Sequence, residues 1–328
     1  MDEKQNILEI RNLSVSFRTD EGIVQAADKV SLSIRQGETL GLVGESGCGK
    51  SVTAMSILRL IPSPPGRIDS GEIVFRGRDL LKLPIDELRK VRGKSISMIF
   101  QEPMTALSPL QRIGDQMVEA LRLHSGISRK EARAVGIEWL RKVGMPNPEE
   151  QMWAWPHNLS GGMRQRVLIA MALMLDPALI IADEPTTALD VTIQAQIFDL
   201  MRRIKKEDEA LLLITHDMGV IWEMCDRVAV MYASEIVETG TVEQVFKRPL
   251  HPYTRALMAA IPSRASKNRE LYHIKGQVPS AINYPEGCRF RERCPIAIER
   301  CAQEHPALDS YGDQSARCFR AGEYGGAS

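Results

Sequence analysis

Near the start of the chain, apolar and polar positions alternate: Val30, Leu32 and Ile34 share one side, with Ser31 and Ser33 between them. A period of two predicts a half-buried strand, and residues 8–17 read as another. Residues 39–43 form a short apolar run. A Gly-rich loop follows, then an expected helix over about 51–60, which Pro62, Pro64 and Pro65 would end. From about 88 to 158 the pattern turns helical, apart from a β run at 96–100. Ile113, Met117 and Leu121 recur every four residues, Ser128 and Glu131 predict a capping box, and Gly144 closes that helix. Beyond 160, helices alternate with the runs 178–182, 211–214 and 228–231, which are apolar on both faces as buried parallel strands are. From about Lys247 the composition shifts to Pro, Arg and Cys. The pattern therefore predicts an α/β domain over 1–247 with a helical insert at about 88–158, and a Cys-rich extension over 248–328. No internal repeat is visible, so each motif occurs once.

Charge and length narrow the picture. Lys+Arg and Asp+Glu both number 42, so the basic excess of a dedicated nucleic-acid binder is missing. The N-terminus lacks a basic region followed by an apolar core, so no secretory signal is expected. The longest strongly apolar stretch, between Arg166 and Asp176, is about half of the roughly 20 residues a membrane span needs. The chain is expected not to cross a membrane itself.

Two motifs carry chemistry. Gly44, Glu45, Ser46, Gly47, Cys48, Gly49, Lys50 and Ser51 fit the G-x-x-x-x-G-K-[ST] phosphate loop between a strand and a helix. Glycines there let backbone N–H groups turn inward around phosphates, and the helix N-terminus adds partial positive charge. Lys50 is expected on the β- and γ-phosphates of ATP and Ser51 on Mg²⁺. Cys48 reads as a small loop residue. Further on, an apolar run ends in Asp183 and Glu184. An acidic strand end is common at turns, but downstream of a phosphate loop it predicts Asp183 as a Mg²⁺ ligand and Glu184 as the general base.

Just before that strand stands Leu159-Ser160-Gly161-Gly162-Met163-Arg164-Gln165. It resembles the signature motif of the ABC ATPases. A Ser and two Gly at a helix N-terminus make a second anion cradle. The resemblance implies a P-loop ABC ATPase fold: a RecA-like core, an antiparallel β subdomain and a helical insert. It also implies that Ser160, Gly161 and Gly162 face a γ-phosphate bound on a partner subunit. Phe17 then resembles the aromatic that stacks on adenine, keeping the π-face of the Tyr often found there. Gln101 resembles the Q-loop glutamine, which touches Mg²⁺ and the attacking water. Ala188-Leu189-Asp190 resembles the D-loop, and His216 the switch histidine.

The resemblance sharpens to the oligopeptide/dipeptide and nickel importer ATPases through Gly44–Gly47, residues 100–105 (Phe-Gln-Glu-Pro-Met-Thr), 182–192 and His251-Pro252-Tyr253-Thr254. Two positions depart from that family: Ser108, where Asn is usual, and Ser234, where a turn Gly is usual. The resemblance implies a head-to-tail pair with a second homologous ATPase subunit or a copy of itself. It also implies two integral-membrane permease subunits and, indirectly, an extracytoplasmic solute-binding protein. No nucleic-acid partner is expected, and the location would be peripheral, on the cytoplasmic face of the bacterial inner membrane. Peptides lead as cargo, with nickel and oligosaccharides as alternatives. A channel-less ABC factor acting on nucleic acid or ribosomes is the rival class. Such factors usually carry long inserts or two ATPase domains, whereas this chain has a short insert and one motif set. A subunit that no longer hydrolyses ATP is disfavoured by the intact Lys50, Asp183, Glu184 and His216.

Cys288, Cys294, Cys301 and Cys318 are spaced C-x5-C-x6-C-x16-C. That spacing leaves a [4Fe–4S] cluster, a tetrahedral zinc site and free thiols or disulfides all open. The importer resemblance implies the iron–sulfur cluster. Arg289, Arg291, Arg293, Arg300, Arg317 and Arg320 share this segment. They read as a solvated face, with counter-charge for a cluster as the alternative.

Overall fold

The structure, a computed structural model, describes residues 5–101, 106–187, 189–260 and 274–321. Glu102, Pro103, Met104 and Thr105 of the importer-like motif and Ala188 of the D-loop lie outside them. The strands of the described residues are β1 (Asn6–Thr19), β2 (Gly22–Arg35), β3 (Thr39–Val43), β4 (Gly66–Phe75), β5 (Arg78–Asp79), β6 (Ile96–Ile99), β7 (Leu179–Asp183), β8 (Ala210–Ile214), β9 (Arg227–Tyr232), β10 (Glu235–Thr241), β11 (Asp309–Tyr311) and β12 (Gln314–Ala316). The chain forms two compact units. One is built mainly from Lys82–Ile214, the other from Leu8–Ile34, Thr39–Leu81 and the described residues from Thr215 onward.

In the first unit β6, β7 and β8 form a parallel ladder in which Met98 lies beside Ile181 and Ile181 beside Leu212. All five residues of β7 and of β8 are buried. This is why these runs show no alternation in sequence: both faces are covered. The insert is helical as expected. Ile113, Met117 and Leu121 form the buried stripe of the helix Ile113–Ser125. The helix Arg129–Lys142 starts with the capping box: Ser128 Oγ accepts from Glu131 N at 3.3 Å, and Glu131 Oε2 accepts from Ser128 N at 2.9 Å. Gly144, at φ 72°, takes the left-handed conformation just past its end. Ser108, the first departure from the importer pattern, sits in a turn held by Gln116. The Gln116 amide accepts from Ser108 N at 2.9 Å and donates to Ser108 O at 3.1 Å.

In the second unit β2, β1, β4 and β5 form an antiparallel sheet in that order. Val30, Leu32 and Ile34 are buried and Ser31 and Ser33 half-buried, as the alternation predicts. A second set of strands pairs β3 with β9 in parallel and β9 with β10 antiparallel, and continues through β12 to β11. The chain after Lys247 thus adds two strands next to β10, with Glu238 beside Ala316 and Thr239 beside Ser315. It also adds an aromatic to the core: Phe290 packs edge-on to Tyr232 at 5.2 Å and to Tyr253 at 5.6 Å between ring centroids.

The phosphate-loop helix is Lys50–Ile57, shorter than the expected 51–60, and Arg59 just beyond it has φ 51°. The chain turns before the prolines rather than at them. Among the described residues no helix is long and apolar enough to cross a membrane.

Candidate functional site

The loop at residues 44–51 follows β3 and opens a helix in the second unit. Gly44, Gly47 and Gly49 have φ of 154°, 78° and 103°. A Cβ at Gly44 would lie 2.1 Å from the Met231 carbonyl oxygen, and one at Gly49 2.1 Å from that of Ala26. Only glycine fits either place. Lys50 is 5% exposed, and its ammonium donates to the loop's own carbonyls, Gly44 O at 2.8 Å and Glu45 O at 3.0 Å. A buried ammonium held by loop carbonyls at a glycine cradle fits a phosphate site, since phosphate oxygens are stronger partners than carbonyls. Cys48 is 1% exposed and burial raises its thiol pKa, consistent with a small, inert loop residue.

Phe17 and His216 belong to the same unit. Phe17 is half-buried near the end of β1, and its register partner on β4 is Gly66. A Cβ at Gly66 would lie 2.8 Å from the Phe17 ring, so the missing side chain makes room for the aromatic. His216 is exposed, next to Asp217, which caps the helix Met218–Met224 by accepting from Gly219 N at 2.8 Å.

In the first unit, Asp183 closes β7 at 4% exposure. Glu184 follows at φ 45°, the left-handed region that a glutamate rarely enters. Its backbone N–H donates to Ile214 O at 2.9 Å on β8. Its carboxylate Oε2 accepts from Gln101 Nε2 at 3.1 Å and from Thr187 Oγ1 at 2.9 Å. The structure therefore brings Gln101 and Glu184 together, two residues 83 positions apart in sequence. Ser160 caps the helix Gly161–Leu173 by accepting from Met163 N at 3.3 Å. Asp190 likewise caps Val191–Ile204, accepting from Ile193 N at 2.9 Å. These two helix starts are neighbours: a Cβ at Gly161 would lie 3.3 Å from Leu189, and one at Gly162 3.0 Å from Ile193.

A glycine cradle with a lysine at the start of a helix, and a buried acidic strand end, together define a P-loop ATPase. Residues 27–187 match the ABC transporter family, and residues 237–301 match the oligopeptide/dipeptide transporter C-terminal region. The chain belongs to the ATP-binding subunits of ABC transporters, in the oligopeptide/dipeptide family, and is an ABC-type ATPase. It is 49% identical over 320 residues to the probable peptide ABC transporter ATP-binding protein y4tR of Sinorhizobium fredii, covering 97% of this chain and 96% of that protein. It is 49% identical to the oligopeptide transport ATP-binding protein OppD of Bacillus subtilis, covering 94% and 86% respectively. Among solved structures it resembles a dimeric post-hydrolysis state of the ATP-binding cassette MJ0796 bound to ADP and Pi. There the identity is 28%, the TM-score 0.64, and the coverage 72% of this chain and 98% of that one.

The expected iron–sulfur centre is not borne out. Cys288, Cys294, Cys301 and Cys318 are free and half-buried, and they line one small cavity with Phe290, Ile296 and Phe319. Among the described residues no group of three or more His, Cys, Asp or Glu is arranged to hold a metal ion. Burial pushes Cys288 up to about 12 and Cys318 up to about 11, and raises Cys294. The iron–sulfur and metal-binding assignment of this segment is therefore withdrawn.

The solvated-face reading of the tail arginines also fails at several positions. The side chains of Arg289 and Arg293 are 9% and 4% exposed. Arg289 pairs with Asp28, donates to Ala233 O at 2.6 Å and lies over the Tyr284 ring at 4.0 Å. Arg317 donates to Ile236 O and Pro306 O, each at 3.0 Å. Arginine suits such sites because its planar fork can bridge several acceptors. Arg300 does stand out in solvent, paired with Glu304 at 2.9 Å. Ser234 has φ 69°, as the unusual turn residue predicts, and its hydroxyl meets Gln25 O and Tyr284 Oη, each at 2.7 Å. The contacts of Tyr284 with Gln25, Arg289 with Asp28 and Arg293 with Glu45 are invisible in the sequence because each spans more than 200 positions.

Proposed function

We propose that this subunit hydrolyses ATP to energise peptide uptake through a membrane permease. The observation that carries the cargo is the near-full-length similarity to relatives named as peptide transport proteins, together with the matching C-terminal region. The Gln101–Glu184 pair supports the chemistry.

In this reading Lys50 leaves the carbonyls of Gly44 and Glu45 to hold the β- and γ-phosphates, and the backbone of Gly44, Glu45, Ser46, Gly47, Cys48 and Gly49 cradles them. Phe17 stacks on the adenine. Ser51, Asp183 and Gln101 are the residues that would hold Mg²⁺, which would neutralise phosphate charge as it develops. Glu184, aimed by Gln101 and Thr187, takes the proton of the attacking water, and His216 senses the γ-phosphate. Ser160, Gly161, Gly162 and Asp190 serve a nucleotide held by the partner ATPase subunit, a homologue or a second copy. Residues 1–247 form the nucleotide-binding domain, 248–328 its extension. The helical insert at about 88–158 passes closure of the ATPase pair to two permease subunits at the cytoplasmic face of the inner membrane, with a solute-binding protein beyond them.

The test is to purify the tagged chain from gently solubilised membranes and identify what accompanies it. Two polytopic subunits and a second ATPase copy or homologue are the expected result. Ribosomes or nucleic acid with no membrane subunit would overturn the importer assignment.

A further inference from the structure

Three contacts from the C-terminal third of the chain converge on Glu45, the second residue of the phosphate loop. Tyr253 Oη accepts from Glu45 N at 2.9 Å. Arg293 grips the Glu45 carboxylate with both arms of its fork, Nη1 to Oε2 at 2.7 Å and Nη2 to Oε1 at 2.9 Å. The remaining guanidinium donors are also used: Nε to Lys275 O at 3.0 Å, Nη1 to Tyr232 Oη at 3.3 Å and Nη2 to Ile274 O at 3.5 Å. Five donors in one plane, on a side chain 4% exposed, fix the guanidinium in place. The segment that carries it is fixed in turn by Phe290 in the aromatic core and by Arg289 on Asp28.

The electrostatic setting gives this contact a consequence. A loop that must receive a polyphosphate carries a carboxylate at its second position. Its only ammonium, Lys50, rests on the loop carbonyls of Gly44 and Glu45. A carboxylate released from Arg293 would repel phosphate and compete with it for Lys50, five residues along the same loop. The bidentate grip keeps that charge paired and held to one side.

We propose that Arg293 is a positioning residue for nucleotide binding: it pairs the Glu45 carboxylate so that the phosphate loop and Lys50 stay open to phosphate. The Cys-rich extension thereby supplies part of the ATP site's electrostatics. This inference rests on reading residues 44–51 as the ATP phosphate loop, and its test separates the two.

The experiment measures the equilibrium Kd of the full chain for a fluorescent ATP analogue, with and without Mg²⁺, alongside the KM and kcat for ATP. Arg293→Ala is expected to raise Kd and KM about tenfold, a loss of about 1.4 kcal/mol, with kcat changed less than about twofold. Adding Glu45→Gln to Arg293→Ala removes the stray charge and is expected to bring Kd back to within about threefold of the wild type. Arg293→Lys keeps the charge and is expected to fall between the two. A purely structural tail anchor would not be rescued by Glu45→Gln, so an unrescued double variant overturns the proposal, as does an unchanged Kd in Arg293→Ala. If Arg293→Ala does not fold, Arg293→Gln keeps a hydrogen-bonding side chain and carries the same expectations. Lys50→Ala is the control: if it binds the analogue like the wild type, the phosphate-loop reading itself is wrong and the proposal falls with it.

Discussion

Glu184 holds a backbone conformation with φ 45° that costs on the order of 1 kcal/mol or more for a residue with a side chain. The strain is held by the ladder bond from its N–H to Ile214 O and by the side-chain bonds from Gln101 and Thr187. Such outliers gather where geometry serves chemistry. Glu184→Gln keeps the shape and removes the base. It is expected to retain ATP binding and lose turnover on the order of 10²-fold or more, measured as phosphate release at saturating ATP. Near-normal turnover would reject the general-base role. Thr187→Val, which deletes one of the two aiming bonds, is expected to lower kcat by about 3- to 10-fold with little change in KM. At this scale the motif residues are legible from sequence, because a glycine cradle and an acidic strand end are local. The contacts of Arg293 and Tyr253 with Glu45 are not. A charge run in a polar tail looks the same whether it is solvated or folded back on a distant loop.

The elements are held by caps that the sequence shows unevenly. Ser128 and Glu131 stand three apart ahead of an apolar stripe, so the box can be read directly. Ser128→Ala is expected to lower stability by about 1 kcal/mol in urea unfolding. His251 is a less visible cap. Its Nδ1 accepts from Tyr253 N at 3.0 Å, its backbone N–H donates to Glu238 Oε2 at 2.8 Å, and it is 2% exposed. Burial, aided by the charge of Arg317, pushes the imidazole down to about 3. The unfolded histidine titrates near 6.5, so the folded chain binds the proton less readily. The stability this confers is complete above about pH 6.5 and is lost as the pH falls toward 3, by at most about 1.4 kcal/mol per unit. Burial also raises the neighbouring Glu238 above its ordinary 4.5, which acts in the opposite sense, so the histidine's part is read as the difference between the wild type and His251→Asn from about pH 7 to 5. Urea midpoints are expected to fall across that window, and His251→Asn, which keeps a cap acceptor without a titrating ring, is expected to flatten the fall. An unchanged slope in His251→Asn would assign the pH dependence to other groups. The element that the sequence pattern misplaces is the helix Lys50–Ile57. The prolines mark where a helix cannot continue, while the chain leaves it sooner, through the left-handed Arg59.

At the scale of the whole molecule, β1, β2, β3, β6, β7, β8, β9 and the helical insert follow from the hydrophobic pattern, whereas β4, β5 and β10 are not marked by it. The extension is legible only as a change in composition. Its strands β11 and β12 are three residues each, too short to show a period, and its large contributions to the core are two aromatics, Tyr253 and Phe290, 37 positions apart. The four cysteines illustrate the opposite hazard. Their number suggests a metal centre, but among the described residues no three potential ligands are arranged around a common ion.

ATP hydrolysis by this chain is expected to drive peptide across a membrane. The most direct measurement is uptake of a labelled peptide into proteoliposomes holding this subunit with its co-purifying membrane subunits and a peptide-loaded binding protein. ATP is supplied on the side that carries the ATPase. The expected result is accumulation that needs hydrolysable ATP and disappears with Glu184→Gln while the complex stays assembled. ATP hydrolysis without peptide accumulation, or equal accumulation with the Glu184→Gln subunit, would contradict it.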